Sequence, residues 1–240
     1  MAIPVSDVHW APSYRVISSR YPPVGLFDDV ASVADLEAVF YLEGITNPRL
    51  RESAGDLNLV PPDRRVCGQG TTPIMAAFTH LNPEGSRFNT SAFGVYYAAH
   101  ERDTAVAETV HHQQRFLART REPPVVLEMR CLLADVRARL HDIRGGWPDL
   151  HDPASYAASQ GEATRLRDQG SDGLVYDSVR APGGQCVAVF YPDRISPARQ
   201  AEHFHYHWDG RVITHVTIAG ALVPLPGLAN VPPAMDVDAD

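Results

Sequence analysis

The stretch Phe93-Gly94-Val95-Tyr96-Tyr97-Ala98-Ala99-His100-Glu101-Arg102-Asp103-Thr104-Ala105-Val106-Ala107-Glu108 changes its period halfway along. Phe93 to Ala98 is a compact aromatic and β-branched run, the composition that suits a pleated, half-buried strand. From about Asp103 to Thr120 the apolar spacing becomes helical, with Asp103 or Thr104 as N-cap and Val106, Val110 and Phe116 on the buried side. A strand running straight into a helix fits either a doubly wound sheet or an α+β domain. The flanking segments decide between them.

Upstream, Tyr14 to Ser18 reads as a short strand that ends at the turn Tyr21-Pro22-Pro23, since paired prolines remove backbone donors. Val33, Leu36, Val39, Phe40 and Leu42 then share one side of a helix from about Ala31 to Gly44. Asn47 to Gly70 has no clean period and reads as an irregular connection, long enough to suggest a functional role. A second unit starts at Ile74 to Phe78 and passes through the turn Asn82-Pro83-Glu84-Gly85 into Ser86-Arg87-Phe88-Asn89.

Downstream, Pro123-Pro124 stops the helix and Val125 to Leu133 reads as a strand. Leu150 to Arg167 is helical in part, with Asp152 capping a first turn that contains Pro153. Leu174 to Tyr176, Cys186 to Tyr191 and His203 to Trp208 read as strands, and Arg211 to Ile218 pairs with the last of these across Asp209-Gly210. The tail from Pro224 to Asp240 has a disordered composition. Strands and helices mix without regular βαβ alternation, which predicts an α+β domain.

Composition narrows the function. Net charge is −8, so the overall field repels nucleic acid and anionic lipid, and direct nucleic-acid binding is not expected. All 21 Lys+Arg positions are arginine, which excludes Schiff-base and lysine-base chemistry and leaves any anionic ligand to arginine, backbone amides or neutral donors. Cys67, Cys131 and Cys186 form an odd, widely spaced set without a CxxC pair, as in a reducing, cytoplasmic compartment. No apolar run is long enough to suggest a membrane span. His203, His205 and His207 alternate along one strand and share a face, with His215 as a fourth nitrogen, but Tyr206 and Trp208 make this an ordinary amphipathic strand and no HExxH occurs. No metal is expected.

Four segments, taken in order, carry a resemblance: Tyr14-Arg15-Val16-Ile17; Gly85-Ser86-Arg87-Phe88-Asn89; Gly94 to Ala99 running on to Ala107-Glu108; and Gly173-Leu174-Val175-Tyr176-Asp177-Ser178-Val179-Arg180. With Gly184, Val187 to Phe190 and Pro192 closing the block, the chain from Tyr14 to about Gly220 resembles the RES family. The resemblance implies a compact, mono-ADP-ribosyltransferase-like α+β domain with mixed, mostly antiparallel strands. It spans residues 1–223, with an insertion at about 27–78. Family members degrade NAD as toxins held inactive by an Xre-type antitoxin with a helix-turn-helix DNA-binding domain. NAD is then a substrate, and no cofactor is implied.

On this resemblance the NAD-binding residues are Arg15, Arg87, Tyr96 and Ser178, and the catalytic ones are Glu108, Arg87 and Tyr96. Arginine suits a pyrophosphate because its planar fork donates two bonds and does not titrate. The insertion leaves Arg20 as a competitor for the position of Arg15. Tyr96 is expected to stack on nicotinamide or its ribose, with Tyr97 on the opposite face of the strand. Cleavage of the nicotinamide–ribose bond builds positive charge on the sugar, which the Glu108 carboxylate would stabilise. The Ser178 hydroxyl is expected to donate to phosphate or to the nicotinamide amide. Cleavage by water or phosphate and transfer of ADP-ribose to a protein target use the same residues, and both remain open here.

Overall fold

The computed structural model describes residues 2–20, 27–28, 55–218 and the backbone of 221–223. The described strands, in chain order, are β1 Val5–Ser18, β2 Tyr96–Ala99, β3 Val125–Asp142, β4 Gly173–Asp177, β5 Gln185–Val189, β6 Arg199–Trp208, β7 Ile213–Ile218 and β8 Ala221–Val223. They form one sheet in the order β1-β2-β5-β4-β3-β6-β7-β8, and a further β1–β3 pairing closes the first five on themselves. The named strands pair antiparallel except β3 with β4, which are parallel at His141↔Leu174 and Asp142↔Val175. The helices are α1 Thr72–Thr79, α2 Arg102–Thr120 and α3 Ala157–Asp168. This is the expected α+β architecture.

Two strands run much further than the sequence reading placed them. β1 extends back to Val5 and pairs with β3 along its length, the register slipping between Trp10 and Ser13. Pro12, which has no N–H to offer a ladder, lies within that slip. β3 continues to Asp142 because Ala134, Val136, Ala138 and Leu140 are buried while Arg137 and Arg139 are exposed, a period of two that is visible in the sequence. The second unit begins as α1, whose Thr72 amide and hydroxyl both donate to the Asp28 carboxylate.

Other boundaries differ at capping positions. α2 starts at Arg102 after Glu101, with no side-chain cap bond from that residue. Asp152 does not cap α3; its Oδ1 accepts from the Ala154 amide in a local turn before the helix begins. The Asp209-Gly210 connection between β6 and β7 holds as expected, with Asp209 Oδ1 accepting from the Arg211 and Val212 amides. The proposed helix from Ala31 to Gly44 and the tail from Pro224 lie outside the described residues.

Two apolar clusters lie on opposite faces of the closed strands. Val8, Trp10, Tyr96, Ala98, Val175, Val187 and Val189 belong to one, together with α1. Ala99, Leu174, Tyr176, Cys186 and Ala188 belong to the other, with Val106 and Leu117 of α2 and Ala163 and Leu166 of α3. Adjacent residues on β2, β4 and β5 therefore fall on alternate sides, as strand geometry demands. The α2 side of this division holds the site.

Candidate active site

A cleft of about 680 Å³ opens between α2, the end of β1, the strand β2 and the loop 82–87. Arg15, Arg87 and Glu108 all line it, and so does Tyr97. A larger, shallower depression of about 910 Å³ lies beside Trp147 and Glu162, and it collects none of the expected residues. The smaller cleft, which gathers Arg15, Arg87 and Glu108, is therefore the candidate site.

One turn shapes its near wall. Asn82 and Gly85 close on each other, the Gly85 amide donating to the Asn82 carbonyl and Asn82 Nδ2 donating back to the Gly85 carbonyl. Gly85 has φ +67°, and a Cβ there would collide with the Asn89 carbonyl oxygen, so glycine is required. The chain leaves this turn into Ser86-Arg87, which places Arg87 in the cleft wall.

Arg87 is buried, and its Nη1 donates to the carbonyls of Leu150 (3.2 Å) and Asp152 (2.8 Å). Its guanidinium also lies 4.8 Å from the centre of the Tyr156 ring. Backbone carbonyls satisfy donors without neutralising charge, so the cation stays available to an anion in the cleft. Arg15 is held in a similar way. Its Nη1 donates to the Tyr97 carbonyl at 2.8 Å, its guanidinium lies 4.8 Å over the Tyr96 ring, and burial lowers its pKa. Arg20 follows β1 in an exposed turn and does not reach the cleft. Of the two competitors, Arg15 lines the cavity.

The tyrosine pair is reversed relative to expectation. Tyr96 is fully buried and packs with Val187 and Val189 on the far face of β2, where burial raises its pKa to about 12. Tyr97 faces the cleft. Its hydroxyl accepts from the Phe88 amide at 2.9 Å and donates to Asn89 Oδ1 at 2.8 Å, and burial pushes its pKa well up. Strand alternation puts the two tyrosines on opposite faces, but which face looks toward α2 depends on the pairing of β2 with β5, at Tyr97↔Ala188, and on where α2 packs. Tyr96 reaches the site through the Arg15 guanidinium resting on its ring.

Glu108, on the second turn of α2, is held by one strong contact: Ser178 Oγ donates to its Oε1 at 2.6 Å. Desolvation pushes the Glu108 pKa above the usual carboxylate value, while the Ser178 bond, Arg180 and Arg87 pull it down. Ser178 does not face the open cleft. Its hydroxyl oxygen also accepts from the Arg180 and Ala181 amides at 3.1 and 3.0 Å, so the serine is both a turn former and the support of the carboxylate. The turn is pressed against α2 so closely that a Cβ on Gly184 would strike Thr104. These contacts hold Glu108 at one end of a bond that its own helix could not supply.

The sequence reading missed the residues that continue from Glu108 along α2. Glu108, His112, Arg115, Phe116 and Arg119 lie at i, i+4, i+7, i+8 and i+11 and form one stripe along α2. That spacing is visible in the sequence, where the apolar pattern predicts Phe116 on the buried side. It is instead 57% exposed at the rim, and Leu117 beside it is 3% exposed and fills the core. His112 and its neighbour His111 both have pKa values lowered to about 4, by desolvation first and then by the arginines Arg180, Arg115 and Arg87. The cleft of an acidic protein thus gathers positive charge.

Among the described residues, no cluster of three or more His, Cys, Asp or Glu side chains is placed to hold a metal ion. His203 meets Gln200 at 2.8 Å, and His207 stacks on His215 with ring centres 4.0 Å apart. No helix among the described residues is long and apolar enough to cross a membrane.

Comparison with known proteins places the chain among relatives. The model of the RES domain matches residues 62–209. The chain is 36% identical over 204 residues to "Uncharacterized protein y4oC" of Sinorhizobium fredii (strain NBRC 101917 / NGR234), covering 84% of each. It also aligns, at 13% identity and a TM-score of 0.45, with 85% of its length and 87% of a chain in the crystal structure of the M. tuberculosis MbcT-MbcA toxin-antitoxin complex. On the extent of the family match and the identity to this relative, the chain belongs to the RES domain family.

Proposed function

We propose that this protein cleaves the nicotinamide–ribose bond of NAD, by hydrolysis or phosphorolysis, and acts as a cytoplasmic toxin restrained by a cognate helix-turn-helix antitoxin. The observation that carries the reading is a desolvated carboxylate, Glu108, held by Ser178 in a cleft that also presents Arg15 and Arg87. Arg15 and Arg87 bind the pyrophosphate. Glu108 faces the ribose and stabilises the positive charge that develops on it as nicotinamide departs, and low local polarity strengthens that interaction. The step needs no metal, because nicotinamide leaves as a neutral group from a cationic one. RES family membership supports the same chemistry, and the thiols of Cys67, Cys131 and Cys186 are free, which suits a reducing compartment.

An unguarded enzyme that consumes an abundant essential cofactor has no safe resting state. A partner that blocks the cleft must compete with NAD, which calls for an interface of roughly standard size, about 1,600 Å² in total, centred on an anchor entering the cavity. The decisive experiment incubates purified protein with NAD, with and without inorganic phosphate, and identifies the products by mass. Free nicotinamide with ADP-ribose, or with its phosphorylated form, is the expected result. Intact NAD would overturn the reading, and label transferred from NAD to a protein would redirect it to ADP-ribosylation.

A further inference from the structure

The rim of the cleft presents a feature that bond cleavage at Glu108 does not use. Phe116 leaves 57% of its surface open while facing a concavity, beside a Leu117 that is 3% exposed. A ligand that covers an exposed ring on a cleft wall gains the free energy of removing its apolar surface from water. Around it are Arg115 and Arg119 on the same helix and Tyr156 across the gap, the Tyr156 ring lying between the guanidinium groups of Arg87 at 4.8 Å and Arg115 at 6.0 Å. Arg119 pairs with Glu84 at 2.5 Å, so these two charges offset each other and the cations beside the ring are Arg87 and Arg115. A flat apolar platform among cations suits an aromatic base attached to phosphate better than it suits a peptide or a lipid chain.

Helix geometry supplies the spacing. Phe116 lies eight residues beyond Glu108 on α2, or about 12 Å along the axis. That is the reach of a ribose and a pyrophosphate. A substrate with its reacting ribose at Glu108 and its pyrophosphate on Arg15 and Arg87 would carry its distal base past Arg115 to Phe116.

We infer that Phe116, with Tyr156 and Arg115, forms a subsite for the adenine nucleotide end of the substrate, so that this protein selects whole dinucleotides over nicotinamide mononucleotide. The inference rests on the proposed NAD cleavage and adds its specificity determinant. Stacking of a base on an aromatic side chain changes affinity by roughly tenfold or more. The experiment compares kcat/KM for NAD and for nicotinamide mononucleotide in the wild type, Phe116→Ser and Phe116→Trp. The expected result is a wild-type preference for NAD that falls about tenfold in Phe116→Ser through a rise in KM for NAD, and that Phe116→Trp preserves. Equal losses on both substrates, an unaltered preference in Phe116→Ser, or a wild type that cleaves both equally well would each overturn the subsite while leaving NAD cleavage standing. A wild type that cleaves neither compound would overturn the cleavage reading and the subsite with it.

Discussion

The α2 wall of the cleft and the strand β6, which lies between β3 and β7, both line up polar side chains on one face, but it is on α2 that side chains from other elements converge to form the candidate site. On α2, Glu108, His112, Arg115 and Arg119 follow helical spacing and are met by Arg87, Tyr97 and Tyr156 from other elements. On β6, His203, His205 and His207 follow strand spacing, but His203 meets Gln200 beside it and His207 meets Thr217 and His215 on the next strand. Periodicity places groups on a face. Convergence from an opposing element, with desolvation, makes them reactive.

The largest expected effect separates the two regions most sharply. Glu108→Gln keeps the shape of the side chain and removes its charge, and it should lower NAD cleavage by about 10² to 10³. Near wild-type turnover by the folded variant would remove Glu108 from the mechanism. Ser178→Ala should lose less, and its pH profile is diagnostic. The Ser178 bond lowers the Glu108 pKa, so removing it raises that pKa further. If activity needs the carboxylate, the acid limb of the profile then moves to higher pH.

Arg87 tests whether the opposing wall contributes as a fork or merely as a charge. Arg87→Lys keeps the cation but not the planar donors, and NAD binding measured by calorimetry should weaken roughly tenfold. Equal affinity in the two proteins would transfer the phosphate-binding role to Arg15.

A smaller effect concerns stability. His111 and His112 hold pKa values near 4 in the folded protein against 6.5 for a free imidazole. Between those values the unfolded chain binds more protons, so stability should fall as pH drops from 6.5 toward 4. Both rings retain solvent contact, and the combined loss should be on the order of 1 kcal/mol. Urea unfolding at pH 7 and pH 4.5 measures it, and His111→Gln with His112→Gln should flatten the difference. A slope that persists in the double variant would assign it to other groups.

The smallest effect is expected at the β6 histidines. Prolonged chelation, or His205→Ala, should leave NAD cleavage unchanged. Stoichiometric zinc lost together with activity in His205→Ala would make β6 the site and reverse the comparison.

Much of the site was legible before the fold. Arg15, Arg87 and Glu108 were picked from separate segments by resemblance, and the structure brings them to one cleft. Ser178 was also picked, but its contact with Glu108 is a tertiary event across 70 residues and no local pattern announces it. The helical stripe continuing from Glu108 to Arg119 could have been read. It was obscured because Phe116 looks like core by composition, while Leu117 next to it takes that role.

By itself, the sequence determined the alternating and helical periods, the turns at Asn82-Gly85 and Asp209-Gly210, the α+β class and the absence of lysine chemistry. These follow from local backbone sterics and side-chain composition, which act over a few residues. Only the tertiary structure decided that Tyr97 rather than Tyr96 faces the cleft, and that Arg15 rather than Arg20 reaches it. Strand alternation says that neighbours point apart; the direction of each is set by which face of the sheet a distant helix covers, a free energy of packing summed over residues far apart in the chain.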